Sequence, residues 1–181
     1  MKKLFDEIPY LEGERIILKQ ITENNRETLQ EMALSNKVYR LEPTYLLEQQ
    51  YTDMDLLIHD LYGKYMEKKQ NLFLGIFLKD NPEELCGLAE FYDYRDQIHM
   101  VSIGGRLREK YWNHRIATET VKLMADYLFK ETDIEIITAS TMVENKASGH
   151  ALENSGFMST RTIQKENWGH AEYTEAYRWF L

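Results

Sequence analysis

The sequence predicts a mixed α/β domain, a sheet of about seven strands with helices on both faces, and three observations carry that reading. Apolar residues switch along the chain between alternating spacing and spacing of three and four. The resulting order of elements is β α α β β β α β α β β, with strands in a row first and strands alternating with helices afterwards. The chain of 181 residues, 43% hydrophobic and 29% charged, has the size and mixture of one compact domain that buries a core without staples. No repeat, low-complexity tract or Pro/Gly/Ser-rich linker divides it, so residues 1–181 are read as a single domain.

Taken in order, Glu14 to Ile21 (ERIILKQI) has the β-branched character of a strand, and Thr22 is placed to cap a helix running to about Leu34. Met54, Leu57, Ile58, Leu61 and Tyr65 fall on one face of a second helix, with Asp53, Asp55 and His59 facing away. Leu72 to Leu78 (LFLGIFL) is apolar at every alternating position and followed by Lys79-Asp80-Asn81-Pro82, which reads as a strand in the middle of the sheet and a turn. Leu85 to Tyr92 and Ile98 to Gly104 form a hairpin around Arg95-Asp96-Gln97. From Ile116 to Lys130 the period is helical, with Ile116, Leu123, Met124, Tyr127 and Leu128 on one stripe. Ile134 to Ser140 returns to strand, Asn145 to Ser155 is a short helix, and Gly156 suits the residue after its end. Phe157 to Ile163 and Glu172 to Phe180 close the sheet, with Tyr173, Tyr177 and Trp179 on one face of the last strand. Met32, Met54, Met66 and Met124 read as core.

Composition excludes several classes. One cysteine, Cys86, forms no internal disulfide and supplies too little sulfur for a thiolate metal cage, so no metal is expected and the compartment is read as reducing. The opening Met1-Lys2-Lys3-Leu4-Phe5 is interrupted by Asp6 and Glu7, unlike a signal peptide, and the longest apolar run is far short of a membrane span. A cytoplasmic protein without membrane association is expected. Thirty acidic against 22 basic residues, net charge −8, argue against a nucleic-acid partner and mildly for cationic ones.

The informative block is Ile103 to Thr118, IGGRLREKYWNHRIAT, where a strand passes through a loop into an amphipathic helix. A helix start presents unpaired N–H groups and the positive end of its dipole. Arg106, Arg108, Lys110, His114 and Arg115 cluster here in an otherwise acidic chain, which points to phosphate binding; surface cations on a polar loop would look the same. The block is not a dinucleotide fingerprint, because Gly104-Gly105 lacks the third glycine and precedes the loop.

SIGGRLREKYWNHRIATETVKLMADYLF followed by ENKASGHALENSGF resembles the acetyl-CoA-binding core of the GNAT N-acetyltransferases, in particular the branch that includes the ribosomal-protein N-terminal acetyltransferases. GERIILKQIT, Gly13 to Thr22, resembles that branch's opening strand. The resemblance implies a mostly antiparallel sheet and acetyl-CoA as co-substrate. It also implies that Gly105, Arg106, Leu107 and Arg108 align the pantetheine arm and thioester, and that Asn113, His114, Arg115, Ile116, Ala117 and Thr118 hold the pyrophosphate. The family's phosphate motif, Gln or Arg, two residues, Gly, one residue, then Gly or Ala, falls here on Trp112, Arg115 and Ala117, so only the last agrees. The branch commonly has Trp-Gly-x-Gly where this chain has Trp112-Asn113-His114-Arg115. Asn113 tolerates left-handed geometry; Arg115 brings a long side chain that either pairs with phosphate, the favoured expectation, or lies across the groove.

Asn145-Lys146-Ala147-Ser148 fits the family's Asn-x-x-Ser at the start of the last helix, which implies that Asn145 meets the coenzyme arm; alternatively Asn145 and Ser148 only cap the helix. Leu152 stands where many members carry a thiolate-protonating tyrosine, which makes Ser148 the nearest polar substitute. Glu90 is the first candidate for the base and His99 the second. Tyr92, Tyr94 and Trp168 are candidate walls of an acceptor pocket. The function implied is transfer of acetyl from acetyl-CoA to a primary amine, either a small amine or a protein N-terminus. The alternative is a non-catalytic acyl-CoA-binding or regulatory module of the same fold. Whether two copies pair as a homodimer stays open.

Overall fold

The computed structural model describes residues 1–41, 47–169 and 171–181. The strands are β1 (Leu11–Glu12), β2 (Ile16–Lys19), β3 (Asn71–Leu78), β4 (Asn81–Arg95), β5 (Met100–Leu107), β6 (Ile136–Met142), β7 (Met158–Ser159), β8 (Gln164–Glu166) and β9 (Thr174–Phe180). The described helices are α1 (Arg26–Ala33), α2 (Asn36–Tyr39), α3 (Leu47–Gln50), α4 (Met54–Tyr62), α5 (Lys64–Glu67), α6 (Ile116–Glu131) and α7 (Lys146–Glu153). The strands lie in the order β1-β2-β3-β4-β5-β6-β9-β7, with β8 also paired to β9. Neighbours run antiparallel except β5 and β6, which are parallel.

The expected mixed sheet with helices on both faces is what forms, with two short strands more than the sequence suggested, β1 and β8. β3 shows why the sheet is covered twice. Leu72, Leu74 and Ile76 point into the cluster that α6 covers, while Phe73 and Phe77 point into the one that α1 and α4 cover. A strand buried on both faces has no polar alternation, which is how LFLGIFL reads.

Element ends differ from expectation for local reasons. The segment after Thr22 begins as a 3-10 turn, Glu23–Asn25, in which the Thr22 N–H donates to Asn25 Oδ1 at 3.1 Å, and α1 starts only at Arg26. The second helix is broken at Gly63, so Tyr65 belongs to α5. Asp53 caps α4, accepting from the Asp55 and Leu56 N–H groups at 2.9 and 3.3 Å. β4 begins at Asn81, inside the expected turn, and register shifts around Phe77 accommodate Pro82, which has no N–H for a ladder. Phe157 to Ile163 pairs only at Met158 and Ser159. Tyr173 lies just outside β9 and is exposed, whereas Trp179 is buried. Met32, Met54 and Met124 are core; Met66 is only partly buried against it.

The parallel register of β5 and β6 runs Met100↔Ile136, Val101↔Ile137, Ser102↔Thr138 and stops there, although both strands continue. At the last pair the buried hydroxyls of Ser102 and Thr138 are hydrogen-bonded at 2.7 Å. Removing one partner leaves the other without compensation, so Ser102→Ala should lower unfolding free energy by about 1–3 kcal/mol. Urea unfolding checks this, and an unchanged midpoint would mean that another group satisfies Thr138.

Candidate active site

Beyond Ser102 the edge of β5 that faces β6 has no strand partner among the described residues, and a cavity of about 770 Å³ opens along it. One wall is β5 itself, through Gly104, Gly105, Arg106 and Leu107. A glycine at 105 is required by the packing behind it, since a Cβ there would lie 2.9 Å from the Leu88 carbonyl oxygen. A second wall comes from α6 and α7, through Ala117, Val121, Ser148, Ala151 and Leu152. In the α6 wall the buried Thr120 hydroxyl has no hydrogen-bond partner among the described residues. Phe73, Tyr92 and Trp168 line the cavity together with Glu90 and Glu166.

The mouth is shaped by the loop before α6. Asn113 and Arg115 both take left-handed backbone geometry, with φ of 64° and 61°. These are the two positions where the resembled branch writes glycine. No side chain caps α6, so the N–H groups of its first turn, Ile116 to Thr118, have no intrahelical acceptor. The loop is pinned from outside: Arg15 donates from its guanidinium to the His114 carbonyl at 3.1 Å, and Glu119 accepts from the Arg15 N–H at 2.7 Å and Nε at 3.0 Å.

The five basic residues do not gather into one patch. The Arg106 guanidinium is buried and bidentate to Glu48, at 2.6 and 2.7 Å. Arg108 pairs with Glu31 at 3.2 Å and Glu84 at 3.5 Å, and Lys110 also pairs with Glu84. The exposed His114 has Nδ1 2.7 Å from the Trp112 carbonyl. Arg115 is exposed and forms no ion pair with a described residue. The counter-charges come from residues distant in sequence, so adjacency along the chain did not report them.

Of the candidate residues, Gly105, Arg106, Leu107, Asn113, Ala117, Asn145, Ser148 and Glu90 line the cavity. Arg108, His114, Arg115, Ile116, Thr118 and His99 are not part of its lining. Ile116, the first residue of α6, is buried in the core, and His99 sits at the far end of the β4–β5 hairpin with Nδ1 3.1 Å from Asp133. Tyr94 is likewise elsewhere, bonded to Asp96 and packed on Phe5. Asn145 caps α7, accepting the Ser148 N–H at Oδ1 (3.2 Å), and it also borders the cavity, so cap and site coincide. The Ser148 hydroxyl makes no hydrogen bond among the described residues.

Glu90 accepts from Asn71 Nδ2 at 2.6 Å, and its Oε2 lies 3.7 Å from an Arg106 nitrogen. Burial pushes its carboxyl up; Arg106 and Asn71 pull it back, Glu48 pushes it up again, and the net result is a raised pKa. For Glu48 burial also opposes charge, but Arg106 and the Tyr39 hydroxyl outweigh it and hold the carboxyl low. One acid that lines the cavity and one buried behind Arg106 are thus driven in opposite directions. Sequence reasoning missed Glu48 and Glu166. Glu166 gathers Arg178 Nε at 2.7 Å, Trp168 Nε1 at 2.8 Å and Ser140 Oγ at 3.2 Å; Trp168 is two residues away, Arg178 twelve and Ser140 twenty-six, the last two brought in only by the fold.

Comparison with known proteins identifies the family and the fold. Residues 15–158 match the acetyltransferase (GNAT) domain family. The chain is 26% identical over 160 residues, 87% of each chain, to the uncharacterized N-acetyltransferase YoaA of Bacillus subtilis (strain 168). A GNAT-family acetyltransferase structure from Bacillus anthracis covers 96% of this chain and 98% of its own, at 21% identity and a TM-score of 0.76. The microcin C7 self-immunity acetyltransferase MccE, solved with acetyl-CoA and AMP, covers 93% of each chain at 16% identity and a TM-score of 0.78. These structural likenesses establish the fold. The chain belongs to the GNAT acetyltransferase family.

The left-handed geometry of Arg115 opposes its own Cβ by about 1–2 kcal/mol. Arg115→Gly should therefore raise unfolding free energy in the unliganded protein by about 1 kcal/mol. Chemical denaturation measures this, and a variant no more stable than the parent would mean that the free protein relaxes the loop.

Proposed function

We propose that this protein transfers the acetyl group of acetyl-CoA to a primary amine, by direct attack of the amine on the thioester. The observation that carries the reading is the freed edge of β5, which lines one cavity with the wall that α6 and α7 build and with Glu90. A pantetheine arm laid along Gly105 to Leu107 would meet backbone groups that β6 does not use. A pyrophosphate would meet the first-turn N–H groups of α6, with Arg115 beside it and Asn145 against the arm.

In the reaction an ammonium first sheds one proton to solvent to give the neutral amine; its nitrogen forms a bond to the carbonyl carbon, the carbon–sulfur bond breaks, the nitrogen loses a second proton and the sulfur gains one. Glu90 takes the proton, directly or through water; its raised carboxyl suits a base working near neutral pH. Ser148, on the face of α7 that borders the cavity, passes a proton to the sulfur. His99 is the weaker proposal for the base, because it lies outside the cavity lining. The aromatic walls Phe73, Tyr92 and Trp168, with acidic groups among them, suit a cationic amine, either a small molecule or a protein N-terminus. A reducing, cytoplasmic setting is consistent with the buried thiol of Cys86.

Thiol release from acetyl-CoA across a panel of amines and N-terminal peptides tests the reading. Acetyl-CoA should also raise Tm, by the equivalent of roughly 2.7 kcal/mol at a hundredfold excess over Kd; absence of both effects would remove the proposal. Because the base must be deprotonated, kcat/KM should fall as pH drops through the raised Glu90 value. Glu90→Gln should erase that limb and lower kcat by about 10²–10⁴. Ser148→Ala should lower kcat about tenfold to a thousandfold with KM for acetyl-CoA unchanged. Full activity of either variant, under conditions where chemistry limits the rate, rules out its assigned role.

A further inference from the structure

We propose that Glu48 is a positioning residue for Glu90: by engaging the Arg106 guanidinium with both carboxylate oxygens, it keeps that cation from pairing closely with Glu90 and leaves Glu90 free to accept a proton. This inference rests on the reading of Glu90 as the base. The geometry behind it is a five-residue cluster drawn from five separate elements. Arg106 on β5 is bidentate to Glu48 on α3, at 2.6 and 2.7 Å. Its approach to Glu90 on β4 is longer, at 3.7 Å, and Glu90 is instead held by Asn71 on β3 at 2.6 Å. The Tyr39 hydroxyl on α2 donates to Glu48 Oε1 at 2.7 Å, fixing the carboxylate from the other side.

Both acidic groups compete for one buried cation. The guanidinium side chain is 3% accessible and that of Glu48 2%, so neither exchanges its partner for water. Glu90 is 19% accessible and lines the cavity, whereas Glu48 does not, and so Glu90 is the acid of the cluster that can reach an incoming amine. Bidentate geometry is the strongest arrangement open to a guanidinium, and its assignment to Glu48 settles the competition. The charged groups facing Glu90 are Arg106 and, behind it, Glu48. Removing the Glu48 charge acts on Glu90 twice in the same sense, by deleting a nearby negative charge and by releasing Arg106 toward it. The base is weakened by both.

The test is Glu48→Gln, which keeps shape and one acceptor but removes the charge. Titration of the Glu90 carboxyl in the ligand-free protein, by carbon NMR of labelled glutamate assigned with Glu90→Gln, should move down by about one to two pH units. The acid limb of kcat/KM should move with it, and kcat should fall about tenfold. Tyr39→Phe, which loosens the same contact without altering charge, should leave both titrations in place. Should Glu48→Gln not fold, Glu48→Asp, which retracts the carboxylate by one methylene, should give a smaller shift in the same direction. An unmoved Glu90 titration in the variant that folds, or an equal shift in Tyr39→Phe, would overturn the proposal and leave Glu48 as a tether of α3 alone. The NMR titration needs no substrate, so absence of acetyl transfer by the wild type would count against the function and be distinguishable from a failure of this inference.

Discussion

The arrangement depends on one constraint, the early end of the parallel ladder between β5 and β6. β6 continues into a five-residue antiparallel register with β9, Thr138↔Phe180 to Met142↔Ala176, and β5 continues along β4 as far as Gly87↔Leu107. Each strand follows its antiparallel neighbour, and the two part. Backbone N–H and C=O groups tolerate no dry orphan state, so the freed edge of β5 has to be met by water or by a ligand. A cleft lined by backbone follows from sheet topology before any side chain is chosen, and Ser102 with Thr138 marks the point where it begins.

Charge within that cleft is arranged against the protein's average. The chain is acidic, yet the deepest charged side chain in the cavity wall is a cation, Arg106, and its principal partner sits on the short helix α3 rather than on the sheet. A buried ion pair gives little net stability once desolvation is counted. Its consequence here is geometric: Glu48 joins α3 to β5, and Tyr39 extends the link to α2. The elements lining the cavity opposite α6 and α7 are thereby fixed to the strand along which the thioester is proposed to lie.

How much of this was legible follows from the range of each interaction. β3 and α6 were legible because their burial patterns are local: a run apolar on both faces, and a stripe at helical spacing. β1 and β8 were not, since two or three residues are too few to show a period and their pairing is decided by β2 and β9. The loop before α6 was legible as a site because strand, polar loop and helix start adjoin in sequence. Its cationic character was overread: Arg108 and Lys110 are answered by Glu84 and Arg106 by Glu48, and nothing near those arginines in the chain announces carboxylates that lie 24 to 58 residues away. Glu48 and Glu166 carry no local signal, being acids in polar segments until the fold closes around them.

Asn113 and Arg115 show how a left-handed conformation can be held at residues other than glycine. Glycine would enter the left-handed region at no steric cost, asparagine at a small one, arginine at a larger one. The loop keeps the shape because its flanks are held: Ile116 at the start of α6 is buried in the core, the His114 carbonyl is taken by Arg15, and Glu119 fastens Arg15 to the same helix. With those neighbours fixed, residue 115 has little choice of φ whatever its side chain. The backbone donors at the start of α6 are therefore fixed in space independently of the side chain above them. In this chain that side chain is a guanidinium, exposed at the mouth and without an ion-pair partner among the described residues, on the helix end whose dipole already favours an anion.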